Sequence, residues 1–224
     1  MTVPIIAIDG PGGAGKGTIS RWVAQQLGWH LLDSGSLYRI TAYAASQAGV
    51  APEDSEAVAR IARSLNVRFE DGNDGVRVVL DDNDVSAAIR SEAGGSAASV
   101  VAADAAVRDA LIERQRGFAQ PPGLVADGRD MGSVVFPSAG LKIFLTASVE
   151  ERARRRYKQL KGKGMDVSLP ALSRDMEERD RRDSERSVAP LQVAEGARTL
   201  DSTELDIQEV VDLVVSWAKE VYSL

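Results

Sequence analysis

The chain has 224 residues, of which 44% are apolar and 27% charged, and a formal net charge of −6. It has no cysteine and a single histidine, His30, which excludes disulfides, thiolate metal sites and a histidine-rich metal centre. The negative balance argues against a nucleic-acid coat, and no stretch approaches the ~18 apolar residues a membrane helix needs.

The length suits one large domain, or one domain with an insertion, and is enough for a full core. The chain opens on a strand pattern rather than a signal peptide, so the expected compartment is the cytoplasm. That strand is Val3-Pro4-Ile5-Ile6-Ala7-Ile8-Asp9. Gly10-Pro11-Gly12-Gly13-Ala14-Gly15-Lys16-Gly17-Thr18 follows, and then Ile19, Val23, Ala24 and Leu27 recur at helical spacing up to Gly28. Strand, glycine-rich turn and helix form the context in which this pattern is a phosphate-binding P-loop. Glycines let successive N–H groups point inward, the helix start adds free N–H groups, and Lys16 can reach the outer phosphates of a nucleotide. In the commonest P-loop a Ser or Thr follows the lysine, and its hydroxyl meets Mg²⁺. Here Gly17 stands in that place, with Thr18 next.

Trp29-His30-Leu31-Leu32-Asp33 reads as a second short strand, with His30 structural. Asp33-Ser34-Gly35 breaks it before a helix opening at Ser36-Leu37-Tyr38-Arg39. Ligands of parallel sheets bind beyond the carboxyl ends of the strands, which puts Ser34, Tyr38 and Arg39 near a second substrate. A helical pattern runs through Ala51–Leu65. Then Val67–Glu70, Val76–Leu80 and Asp84–Ser86 look like strands of an inserted antiparallel sheet, separated by turns at 71–75 and 81–83. Ile89 to about Gln115 reads as helical, with Gly94-Gly95 as a break between two helices.

Gly123–Asp127 is the third parallel strand, and Asp127 is where a P-loop enzyme places a carboxylate near Mg²⁺. Leu141–Thr146 is strand four, and Ser148-Val149-Glu150-Glu151 is a capping box for the next helix. From Glu151 to Arg186 there are 12 Lys/Arg against 8 Asp/Glu, so a net-negative chain gathers positive charge in one segment. That segment is either a pair of solvated, salt-bridged helix faces or a flap that closes arginines over a transferring phosphate. Gly162 and Gly164 mark a loop within it. Ala197–Asp201 is strand five, and Ile207, Val210, Val211, Val214, Val215, Ala218 and Val221 form the core-facing stripe of a last helix.

Several motifs occur in order. They are Ile8-Asp9-Gly10-Pro11 through Lys16-Gly17-Thr18, Leu31–Gly35 with Tyr38-Arg39, Ala126–Gly132, Glu178-Arg179-Asp180 and Val188–Leu191. Together they resemble the bacterial cytidylate kinase family of nucleoside monophosphate kinases, over the whole chain. The resemblance implies an α/β P-loop core, a five-stranded parallel sheet in the order 2-3-1-4-5 flanked by helices. It also implies a small antiparallel nucleotide-binding insert and a helical lid. The expected core is 1–65 and 87–224, with the lid at about 151–170 and the insert at 66–86 with helices to about 115.

The implied reaction transfers the γ-phosphoryl group of ATP to CMP or dCMP. The loop Gly10, Pro11, Gly12, Gly13, Ala14, Gly15, Lys16, Gly17 and Thr18 would hold the ATP phosphates. Mg²⁺ would be held by phosphate oxygens and waters, with few direct protein ligands. Arg39 and Arg129 would bind the CMP phosphate, while Ser99, Arg108 and Asp130 would read cytosine. Arg179 and Asp183 would bind the sugar hydroxyls, Arg186 would sit beside the acceptor, and Arg152 and Arg156 would be lid arginines. The resemblance further implies a monomer whose partners are free nucleotides, not nucleic acid or membrane. Two alternatives stay open: another small-molecule P-loop kinase with UMP, AMP or shikimate as acceptor, and a GTP-binding switch. The latter lacks its Asn-Lys-x-Asp motif here, and Gly17 replaces its Ser or Thr.

Overall fold

A computed structural model of the chain describes residues 3–72, 75–162 and 164–224. They form two compact units, one made of 1–33 with 115–224 and the other of 34–114.

The first unit is built on a parallel sheet of β1 (Ile5–Asp9), β2 (His30–Asp33), β6 (Leu124–Gly128), β7 (Leu141–Thr146) and β8 (Arg198–Asp201). Its order is β2-β6-β1-β7-β8, which is the expected 2-3-1-4-5. The inner strands β1 and β6 are nearly unbroken apolar runs, as a sheet covered on both faces requires, whereas the edge strands β2 and β8 are more polar and more exposed. The register pairs Asp9 with Gly128 and Asp33 with Asp127, so polar strand ends share one edge. Helix α1 (Lys16–Leu27) packs Ile19, Val23 and Ala24 against Ile6, Ile8 and Val125. Helix α9 (Ile207–Tyr222) adds Val210, Val211, Val214, Val215 and Ala218, each large one contributing on the order of 1.5–3 kcal/mol. Of the expected stripe, Ile207 and Val221 lie exposed at the helix ends. Asp206 and Glu209 cap α9 reciprocally. At its other end the Tyr222 hydroxyl accepts from the Leu141 amide at 3.0 Å and donates to the Ile5 carbonyl. The Tyr222 ring meets Trp29 edge-on at 5.4 Å. Helices α7 (Val149–Gly162) and α8 (Leu169–Glu185) cover the arginine-rich segment.

The second unit holds α2 (Ser34–Gln47), α3 (Ser55–Ser64), the antiparallel sheet β3 (Val67–Gly72), β4 (Gly75–Leu80) and β5 (Asn83–Asp84), then α4 (Ser86–Ile89), α5 (Glu92–Val101) and α6 (Ala105–Arg116), the last two residues of which belong to the first unit. Three local expectations change. Helix α2 starts at Ser34 directly after β2, with no intervening break. Strand β5 stops at Asp84, because the Ser86 hydroxyl accepts from the Val78 amide where a further strand residue would pair. Gly94 and Gly95 lie inside α5, and the breaks fall at 90–91 and 102–104. A Cβ on Gly94 would stand 2.8 Å from the Ile89 carbonyl oxygen, so this glycine permits close approach to α4 rather than ending a helix. The centre of the expected 71–75 turn, Asn73 and Asp74, lies outside the described residues, as does Lys163. Among the described residues no helix is long and apolar enough to cross a membrane.

Candidate active site

The loop between β1 and α1 is shaped by its packing. Gly10 has φ +150°, and a Cβ there would lie 1.9 Å from the Leu145 carbonyl oxygen, so the chain passes β7 only without a side chain. Gly15 caps α1 and Lys16 is its first residue, which leaves the first-turn amides facing the loop. Lys16 is only 6% exposed and donates from Nζ to the Pro11 carbonyl at 2.9 Å. Its ammonium therefore lies folded over the loop. Burial, then the Arg129 guanidinium, hold its pKa well below the usual lysine range, against the pull of Asp127. A Cβ at Gly17 would meet an Asp127 carboxylate oxygen at 3.4 Å. The position that carries a hydroxyl in the commonest P-loop is thus pressed close to the acid at the end of β6.

Four cationic side chains surround this loop. A Cβ at Gly12 would be 3.6 Å from an Arg129 terminal nitrogen and 3.8 Å from one of Arg179. Arg129 donates from Nε to Asp183 at 2.9 Å. Arg152 donates to the Gly12 carbonyl at 2.8 Å, to the Ala147 carbonyl at 3.0 Å and to Asp180 at 2.5 Å. Arg152, expected as a lid arginine, is buried in the first turn of α7 and bonded to the loop itself. One turn further, Arg156 donates to Gln159 on its own helix. Arg186 donates to the Ala189 carbonyl at 2.6 Å just past α8. Asp127 is buried, and burial holds its carboxyl well above the usual range, with Lys16 opposing. Asp33 pairs in register beside it. Among the described residues no group of three or more His, Cys, Asp or Glu side chains is arranged to hold a metal.

Two acids were not singled out from sequence as site residues. Asp9 stands in the sequence as the last residue of a strand and within the Ile8-Asp9-Gly10-Pro11 motif, with no role of its own, yet it is 3% exposed and accepts from the amides of Met131 and Gly132. Asp180 was quoted only within a motif, yet it anchors Arg152. A carboxylate ending an apolar strand beside a glycine-rich turn was the available signal for Asp9.

In the second unit, Ser34, Tyr38, Ser99 and Arg108 are all buried. The Arg108 guanidinium lies 5.5 Å above the Tyr38 ring and donates to the Ala102 carbonyl at 2.9 Å. Arg39 donates to the Ile89 carbonyl at 2.7 Å. Helix α2 therefore contributes two of the expected residues in sequence, one turned to α4 and the other under an arginine of α6.

A family model described as "Cytidylate kinase" matches residues 6–220. The chain is 57% identical over 215 residues to a cytidylate kinase from Pseudomonas aeruginosa, covering 95% of this chain and 94% of that protein. It is 56% identical over 216 residues to one from Methylococcus capsulatus, covering 96% of each. Among solved structures it is similar to a shikimate kinase from Acinetobacter baumannii in complex with shikimate, at TM-score 0.45 and 18% identity, covering 99% of this chain and 94% of that one. With the family model spanning nearly the whole chain around a cation-lined P-loop, this protein belongs to the cytidylate kinase family.

Proposed function

We propose that the protein transfers the γ-phosphoryl group of ATP to CMP and dCMP, giving CDP or dCDP and ADP. The observation that carries this reading is the clustering of Lys16, Arg129, Arg152 and Arg179 around the Gly10–Thr18 loop, in a chain of the cytidylate kinase family. An acceptor phosphate oxygen is already a nucleophile near neutral pH, so the reaction needs no general base. It needs positioning and charge stabilisation for an in-line transfer. Lys16, folded over the loop and destabilised as a cation there, gains its counter-charge when a polyphosphate arrives.

The loop amides and Lys16 hold the ATP phosphates. Arg39 and Arg129 take the acceptor phosphate, with Arg186 beside it. Ser99, Arg108 and Asp130 read the base: a carboxylate accepts from the cytosine amino group while an arginine donates to its ring acceptors. Arg179 and Asp183 bind the sugar hydroxyls, and Ser34 and Tyr38 line the acceptor side. Arg152 steadies the loop through Gly12, and Arg156 stands where lid closure brings charge to the transferring group. Mg²⁺ fits an all-oxygen setting with the Asp127 and Asp33 carboxylates at adjacent strand ends, where they can hold its water shell. Bound with ATP, the ion neutralises phosphate charge. The net charge of −6 favours free nucleotides over nucleic acid as partners, and the resemblance to the family is what speaks for a cytoplasmic monomer.

A panel of acceptors with MgATP tests the reading. CMP and dCMP should turn over, with UMP lower by about ten- to a hundredfold in kcat/KM. Preference for AMP or shikimate would overturn it.

A further inference from the structure

Helix α8 carries two acids on neighbouring turns, Asp180 and Asp183, and each holds an arginine. Asp183 holds Arg129. Asp180 holds Arg152, and through it reaches the P-loop. The three nitrogens of that guanidinium go to three places: Nη2 to Asp180 at 2.5 Å, Nη1 to the Gly12 carbonyl at 2.8 Å, and Nε to the Ala147 carbonyl at 3.0 Å. The Arg152 side chain is 4% exposed, so its charge is nearly dry and needs a counter-ion. The second Asp180 oxygen is buried and has no hydrogen-bond partner among the described residues, a cost that the fold carries in keeping this carboxylate beside Arg152. The same helix presses on the loop one residue further along. A Cβ at Gly13, where φ is +80°, would stand 3.2 Å from both the Arg152 Cβ and the Met176 Cε.

We infer that Asp180 is a positioning residue for the donor nucleotide: through Arg152 it fixes the Gly12–Gly13 peptide, and with it the direction of an amide in the phosphate-binding loop. This rests on the reading of Gly10–Thr18 as the site of the ATP phosphates. A trans peptide plane points its carbonyl and the following N–H in opposite directions. The bond from Arg152 to the Gly12 carbonyl therefore turns the Gly13 amide away from the first turn of α7. Loop amides are what grip phosphate, so their aim sets affinity. Glycine lets this peptide take more than one orientation, and the buried arginine selects one. Asp180 acts through Arg152 and not on the nucleotide. Its charge also acts on Arg129, but less than the charges of Asp183 and Asp127 do. The two acids of α8 thus divide the substrates, Asp180 serving the donor and Asp183 the acceptor.

The test is calorimetric binding of two probes, the Mg²⁺ complex of a non-hydrolysable ATP analogue and CMP, to wild type, Asp180→Ala, Arg152→Met and the double variant. Asp180→Ala should bind the analogue about tenfold or more weakly, since small misplacements in such a site are costly, and should bind CMP within about twofold of wild type. The double variant should bind the analogue no more weakly than Arg152→Met alone, because the acid acts only through that arginine. Analogue affinity kept in either single variant, equal losses for both probes, or losses that add in the double variant overturn the inference. A lowered melting midpoint with both affinities kept overturns it as well, and makes Asp180 merely structural. Wild-type protein that binds CMP but not the analogue removes the donor-loop reading, and this inference with it. Should Asp180→Ala fail to fold, Asp180→Asn decides. It keeps the shape and accepts more weakly from Arg152, so the analogue should weaken by at least about threefold against CMP within about twofold, and equal changes overturn the inference.

Discussion

The Arg129–Asp183 pair in the first unit and the Arg77–Asp84 pair in the second are both 2.9 Å long. Their side chains are 18% and 5% exposed in the first case and 51% and 45% in the second. Distance therefore does not separate them; water does. The Arg77 pair, with Arg68–Asp82 on the same small sheet, is solvated and screened, and it serves to keep exposed strands polar. The Arg129 pair has lost most of its hydration, so removing either ion costs far more than it does at the surface. Ion pairs that look alike along the chain are thus screened by water in one case and largely dry in the other.

Removing one partner of each pair is the most direct way to break this contrast. Asp183→Ala removes the carboxylate to which the buried Arg129 guanidinium donates and should cost about 3–5 kcal/mol in denaturant unfolding. Lys16→Met should lower kcat by at least ~10²-fold, roughly 2.7 kcal/mol of transition-state stabilisation. It should also leave the nucleotide-free protein as stable as wild type or more so, because burial disfavours the ammonium it removes. Coincident loss of fold and activity would refute the functional origin of that burial.

The pH dependence of Asp9 sharpens the comparison further. Burial pushes its carboxyl up to about 6 from 3.8, despite the two amides that oppose the shift. A carboxyl raised on folding favours the folded state most below its unfolded pKa, and that advantage fades as pH rises through the folded value. Relative to Asp9→Asn, wild type should therefore lose about 2–3 kcal/mol of stability between pH 4 and pH 7. A flat difference would place Asp9 in contact with water. The smallest effect belongs to the second unit, where Asp84→Ala should move the melting midpoint by no more than about 1–2 °C, and by less in high salt.

The inner strands of the sheet are legible because strands buried on both faces are apolar runs, and the P-loop because its glycines are demanded locally. Gly94 was misread for the opposite reason. A glycine that ends a helix and one that lets two helices touch look the same until the neighbour, here the Ile89 carbonyl, is known. Arg152 is one of several basic residues on a charged helix, and no local pattern marks it as the one turned inward to Gly12. The Asp9 cap was invisible because its partners lie 122 and 123 residues on.

The Tyr222 hydroxyl has a bearing on how the protein is made. It touches Ile5 and Leu141, the first residues of two adjacent strands, from the final turn of the last helix. Strand β1 is made well before its neighbours at 124–128 and 141–146 and before its hydroxyl contact at 222. Residues 34–114, by contrast, form one uninterrupted stretch. That stretch can close while the central strand of the sheet still waits for partners, since nearby contacts form before remote ones. The nucleotide loop begins where β1 ends, so a nascent chain can order that loop against the sheet only after residues 124–146 have been synthesised.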